Sequence, residues 1–147
     1  HAELQIDTQR CNGFKNYLVN QGINTKNIHT IVGNLEVDAM KELEKLISSH
    51  KIDSIFCFSD LIAYAVIEKL NELNYKVPED INVIGYDNLQ DYIPYPIEVS
   101  SIDNNKSEMI EKSLDILFDQ INNGIYEEAK NKKISVKYQS GNTTKNY

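Results

Sequence analysis

Two short apolar runs, "DSIFCF" (53–58) and "INVIGY" (81–86), are joined by a stretch with a different period. In "SDLIAYAVIEKLNELN" (59–74), Ile62, Ala63, Val66, Ile67, Leu70 and Leu73 recur at helical spacing and make one stripe for burial. Ser59 or Asp60 suits the start of that helix as its cap, and Pro78 breaks the chain before the second run. A strand, an amphipathic helix and a second strand in that order imply a parallel pair joined by a right-handed crossover. No other feature limits the choice of fold as strongly.

The alternation continues on both sides. Segment 7–21 places Cys11, Phe14, Tyr17 and Leu18 at helical spacing, with Asp7 or Thr8 to cap its start and Gly22 to end it in the left-handed conformation. "IHTIVG" (28–33) reads as a strand, and "EVDAMKELEKLISSH" (36–50) brings Val37, Met40, Leu43, Leu46 and Ile47 onto one helical face. After a loop containing Pro94 and Pro96, "IEVSSI" (97–102) is extended. Residues 107–122 form a last amphipathic helix, with Ile110, Leu114, Leu117, Phe118 and Ile121 inward and Gly124 as its stop; "KKISVKYQ" (132–139) alternates like an edge strand. The predicted class is α/β, a parallel sheet flanked by helices. Ligands of such sheets bind outside the carboxyl ends of the strands. Asp87 lies just past one such end, and Ser59 and Asp60 just past another.

Composition excludes several functions. A chain of 147 residues suffices for one domain or one large piece of a domain. The net charge of −7 and pI of about 4.9 argue against a unit that grips a phosphate backbone by itself. The fifteen Lys and Arg are scattered, with only Lys130, Lys132 and Lys133 clustering. The longest apolar runs fall far short of the roughly 20 residues that cross a bilayer, and the first residues lack the order of a signal peptide. Cys11 and Cys57 sit in apolar patterns outside any C-x-x-C pair and read as reduced core thiols of a cytosolic protein. No G-x-S-x-G elbow, P-loop or G-x-G-x-x-G is present, and His1, His29 and His50 lack metal-ligand spacing. The sequence therefore implies no enzyme, no catalytic residue and no metal or other cofactor.

The residues around the strand ends resemble the LacI/GalR family of bacterial transcription regulators. The resemblance is carried by "RCNGF" (10–14), "SIFCFSDLIA" (54–63), "LNELNYKVPEDINVIGYDN" (70–88) and the tail "SVKYQSGNTT" (135–144). The third motif is the most specific. The resemblance covers essentially the whole chain, but only the second half of such a regulator. It implies an effector-binding core like that of the periplasmic sugar-binding proteins (type I), with two α/β lobes and a ligand cleft between them. Residues from about 13 to 100 and about 131 to 147 would belong to the C-terminal lobe. Residues from about 103 to 128 would be an excursion into the N-terminal lobe, so the apolar stripe of the last helix should pack on a lobe mostly absent from these residues and stand exposed here. The helix-turn-helix DNA-binding head of the family has no counterpart in these residues.

The resemblance further implies a cytoplasmic homodimer that senses a small, sugar-like effector, touches DNA only through such a head, and has no membrane partner. Arg10 matches a family arginine that reaches the effector; its guanidinium offers a planar set of five donors. Asp87 matches the acid after G-Y, whose carboxylate accepts paired bonds from neighbouring hydroxyls. Ser59 and Asp60 occupy the cleft-facing strand end, each with helix capping as the other use for its side chain. Leu35 stands where family members often carry an aromatic that stacks on a sugar or base. Phe58 and Tyr86 read as core rather than as a platform for ligand. The loop "IPYPIEVSSIDNN" departs from the family's pattern, and no site residue is assigned there. Two rivals remain. One is the solute-binding protein of a transporter, with the same cleft and a signal peptide; the other is an interaction module that binds no small molecule.

Overall fold

The computed structural model describes residues 5–33, 37–124 and 131–145, with the backbone alone for residues 5–7. Its helices are α1 (Gln5–Asn20), α2 (Val37–Ser49), α3 (Asp60–Glu72) and α4 (Lys106–Asn123). Its strands are β1 (Ser54–Phe56), β2 (Asn82–Tyr86), β3 (Ser100–Asp103) and β4 (Lys137–Gln139), hydrogen-bonded in that order. β1, β2 and β3 run parallel, and β4 is antiparallel to β3. The α/β class and the parallel pairing of the two apolar runs are as the sequence implied.

The core forms where α3 crosses the sheet. Ile67, Leu70, Ile81, Val83 and Val99 are fully buried, with Leu43 and Ile47 of α2 closing one side. Each such aliphatic side chain contributes about 1.5–3 kcal/mol relative to an exposed one. α3 stops without a glycine. Asn74 takes the left-handed conformation (φ 64°), which lets the Tyr75 N–H donate to the Leu70 carbonyl at 2.9 Å.

The tail completes the sheet as an inserted plug. The Asn142 N–H donates to the Glu98 carbonyl at 2.7 Å, and the Val83 N–H donates to the Thr143 carbonyl at 2.8 Å. The buried Thr143 hydroxyl donates to the Val83 carbonyl at 2.6 Å and accepts from the Ser100 N–H at 2.9 Å. A Cβ on Gly141 would lie 2.4 Å from the Glu98 carbonyl oxygen and 2.7 Å from the Ser100 nitrogen, so only glycine fits.

Three expectations need correction. Residues 28–33 pair with no strand among the described residues: Ile28 and Ile31 are half-buried, while Thr30 and Val32 face solvent. Ile31 packs against the core, without a ladder to β1. Of 132–139 only Lys137–Gln139 pair, and all three are exposed. α1 already includes Asp7 and Thr8, so neither stands at its cap position. On α4, by contrast, no described residue is buried, and Ile110, Leu114, Leu117, Phe118 and Ile121 are 45–66% exposed, as expected of a stripe whose partner lobe lies mostly outside these residues.

Cys57 is buried and Cys11 half-buried, both as free thiols. Burial, and secondarily the charge of Asp60, push the Cys57 thiol up to about 12. Native protein at pH 8 should therefore react with a thiol reagent at Cys11 alone, and unfolded protein at both. Rapid labelling of Cys57 in the native state, read by peptide mapping, would contradict this packing.

Candidate functional site

Three chain segments meet at the carboxyl edge of the sheet: Phe58–Asp60 after β1, Tyr86–Leu89 at the end of β2, and Asp103–Lys106 at the end of β3. α1 brings Arg10 to this edge. Its Nη1 donates to the Phe58 carbonyl at 3.0 Å, and its guanidinium lies over the Tyr86 ring, 3.8 Å from the centroid. Stacking of this kind contributes about 0.5–2 kcal/mol and fixes the plane of the donor fork.

Asp87 begins a strained turn. It has φ 97° and Asn88 has φ 48°, conformations that cost a non-glycine residue about 1–2 kcal/mol each. Side chains and backbone from β3 hold the turn in place. The Asp87 N–H donates to the Ile102 carbonyl at 2.9 Å, and the Asn88 N–H to the Ser101 hydroxyl at 3.0 Å. The Asn104 amide donates to Asp87 Oδ1 at 3.2 Å, and the Asn88 amide to Asp103 Oδ2 at 3.3 Å. Strain held by surrounding structure at a strand end is a mark of a functional position.

Ser59 and Asp60 differ from one another. Ser59 is the N-cap of α3, its hydroxyl accepting from the Ile62 N–H at 3.4 Å. Asp60 is only 1% exposed, and both its oxygens meet donors of the protein itself. The Ser101 hydroxyl donates to Oδ1 at 2.7 Å and the Leu89 N–H to Oδ2 at 2.6 Å. Burial lifts this carboxyl above its ordinary range, against the lowering effect of those two bonds. The structure thus places Asp60 beneath the site rather than in it.

The Asp60 carboxylate also explains the glycine of the G-Y-D-N sequence. A Cβ on Gly85 would stand 2.1 Å from Asp60 Oδ1. The strand gives up a side chain there to admit the buried carboxylate. Leu35 lies outside the described residues.

Tyr86, Ser101, Asn104 and Lys106 are site residues that sequence reasoning passed over. Tyr86, expected in the core, is half-buried and carries Arg10 on its face. The amide oxygens of Asn88, Gln90 and Asn104 are buried without a hydrogen-bond partner among the described residues. The edge is therefore rich in acceptors around Asp87, with two cations, Arg10 and Lys106, beside them. A separate cavity of about 240 Å³ lies between α1, α2 and β1. Its lining is mostly apolar, with Phe14, Leu18, Met40 and Phe56 among it, and Lys15, Asn27 and His29 are its polar members. Among the described residues no group of three or more His, Cys, Asp or Glu could hold a metal ion, and no helix is long and apolar enough to cross a membrane.

A parallel sheet that presents a cation, an aromatic face and a carboxylate beyond its carboxyl edge is the architecture of a small-molecule-binding α/β lobe. The chain belongs to the periplasmic binding protein-like domain family, whose sequence profile matches residues 1–144. It is homologous to LacI-type regulators, as the motifs implied. The HTH-type transcriptional repressor PurR of Vibrio vulnificus is 31% identical over 125 residues, 82% of this chain and 37% of the relative. PurR of Photobacterium profundum is 30% identical over 124 residues, with the same coverage. The chain thus spans little more than a third of the length of these relatives, which are regulators and not enzymes.

Solved structures show the same fold. The regulator CelR in complex with cellobiose superposes with a TM-score of 0.77 at 21% identity, over 97% of this chain and 44% of that one. A LacI family regulator from Enterococcus faecium with bound ribose gives 0.74 at 23% identity, over 92% and 50%.

Proposed function

We propose that this chain is the effector-sensing and dimerising part of a LacI-type transcriptional regulator. It would act in the cytoplasm as a homodimer that meets DNA through a separate head. The observation that carries the reading is Arg10 laid flat on Tyr86 beside the strained Asp87 turn: a donor fork and an acceptor group fixed before any ligand arrives. A rigid pair of this kind reduces the ordering cost of binding. Buried acceptors on Asn88, Gln90 and Asn104 favour a ligand rich in O–H or N–H groups. A sugar or sugar phosphate fits, with phosphate or another anionic group on Arg10 and hydroxyls on Asp87. Ser59 lies at the rim, and Asp60 positions the turn from below.

The exposed stripe of α4 supports placing residues from about 103 to 128 in the second lobe, with 13–100 and 131–147 in the first. Ligand contacts that differ between open and closed lobes would shift the population and reposition the heads, a coupling of typically about 1–3 kcal/mol.

The test is calorimetric titration of the protein carrying both lobes with ribose, cellobiose, ribose 5-phosphate and a purine base. Solved structures of similar regulators hold ribose or cellobiose, and the panel sets such sugars against a sugar phosphate and a flat nitrogenous base. Asp87→Ala should weaken the ligand that binds by about tenfold or more, equivalent to at least about 1.4 kcal/mol, while DNA binding without ligand stays intact. Unaltered affinity in that variant would overturn the site.

A further inference from the structure

We propose that Lys106 is a positioning residue that ties the effector-binding turn to the start of α4. The inference rests on Asp87 being the ligand-contacting acid. β3 ends at Asp103 and α4 starts at Lys106, so Asn104 and Asn105 are the whole connection. Across it the Lys106 ammonium donates to the carbonyl oxygens of Asp87 and Asn88, the second at 3.3 Å. Asn104 holds the Asp87 carboxylate from the same connection.

The backbone explains why a cation belongs there. Two successive residues with positive φ present their carbonyls to one ammonium, which has three donors and can serve both. Helix energetics do not account for this lysine. A cation in the first turn of a helix opposes the dipole, and the Asn105 cap makes no side-chain bond to the helix N–H groups. The Tyr92 ring, 5.9 Å away, adds only a weak attraction. The geometry therefore turns Lys106 toward the 87–88 turn. Displacement of α4 relative to the sheet would carry the ammonium, and with it the orientation of the Asp87 carboxylate. By reciprocity, a ligand that fixes Asp87 biases the position of α4.

The test is amide hydrogen exchange, followed by NMR, on the 147-residue chain and its Lys106→Met and Lys106→Arg variants. The reporters are the Asn88 N–H, bonded to Ser101, and the Leu89 N–H, bonded to Asp60. The control is the Val83 N–H, bonded to Thr143. Lys106→Met should speed exchange at Asn88 and Leu89 by about tenfold or more and leave Val83 unchanged, with Lys106→Arg near wild type. Equal protection in the Met variant, or acceleration that includes Val83 to the same degree, would overturn the proposal. This readout needs no ligand. A loosened turn together with a ligand response indifferent to Asp87→Ala would sink the ligand reading alone.

Discussion

Thr143→Val should lower the stability of the chain by about 2–4 kcal/mol, although it keeps the volume and branching of the side chain. The hydroxyl is wholly buried and used twice: it donates to the Val83 carbonyl and accepts from the Ser100 N–H. Valine would leave a buried carbonyl and a buried N–H unmatched, and each costs about 1–3 kcal/mol when water cannot reach it. The Val83 N–H to Thr143 carbonyl bond survives, because it is made by the backbone. Thr143→Ser keeps both hydroxyl bonds and loses one methyl group, so its cost should stay near 1 kcal/mol. Urea unfolding of the variants separates the two terms, since the midpoint should move while the slope holds. If valine proved no worse than serine, the plug would be held by packing and not by its hydroxyl.

The same tail shows what local sequence reveals and what it hides. "SVKYQSGNTT" was recognisable as a motif, but not as a plug. Its pairing partners, Val83 and Glu98 to Ser100, lie some 40 to 60 positions upstream, where no period reports them. The helices α2 and α3 and the strands β1 and β2 were legible because burial of one face imposes a period on the side chains. Residues 28–33 are a short apolar run between two helices, and such a run says nothing about ladder bonds. α4 shows the converse. Its stripe is a true amphipathic signal, and its exposure is a fact about what the described residues offer to cover it.

At the site, residue types were legible from the strand-end rule, and roles were not. Ser59 and Asp60 give the same capping signal in sequence. What separates them is Gly85, 25 positions away from Asp60, whose missing side chain makes room for one carboxylate and not the other. Lys106 was unreadable for a related reason. The loop just before it, residues 93–105, departs from the family pattern, and the lysine's proposed role depends on two carbonyls presented by positive φ at Asp87 and Asn88.

Asp60→Ala should cost about 2–4 kcal/mol by stranding the Leu89 N–H and the Ser101 hydroxyl, and Asp60→Asn about 1–2 kcal/mol, because the amide keeps one acceptor. The sharper expectation concerns pH. Burial is the dominant influence on this carboxyl and raises it above its unfolded value, with Asp87 adding to the rise and Ser101, Leu89 and Lys106 opposing it. The folded chain therefore retains this proton at pH values where the unfolded chain has lost it. Folding is favoured by this group at low pH, and that contribution is lost as pH rises from the unfolded value through the folded one. Asparagine does not titrate. The stability of wild type minus that of Asp60→Asn should accordingly fall with rising pH across this window and become flat above it. Urea midpoints at several pH values from about 4 to 7 measure that difference directly, with the other carboxylates cancelling between the two proteins. A difference that grew with pH would mean that the Ser101 and Leu89 bonds outweigh burial. Asp60 would then be an ordinary stabilised carboxylate, and the 87–88 turn would rest on a charge the protein holds at little cost.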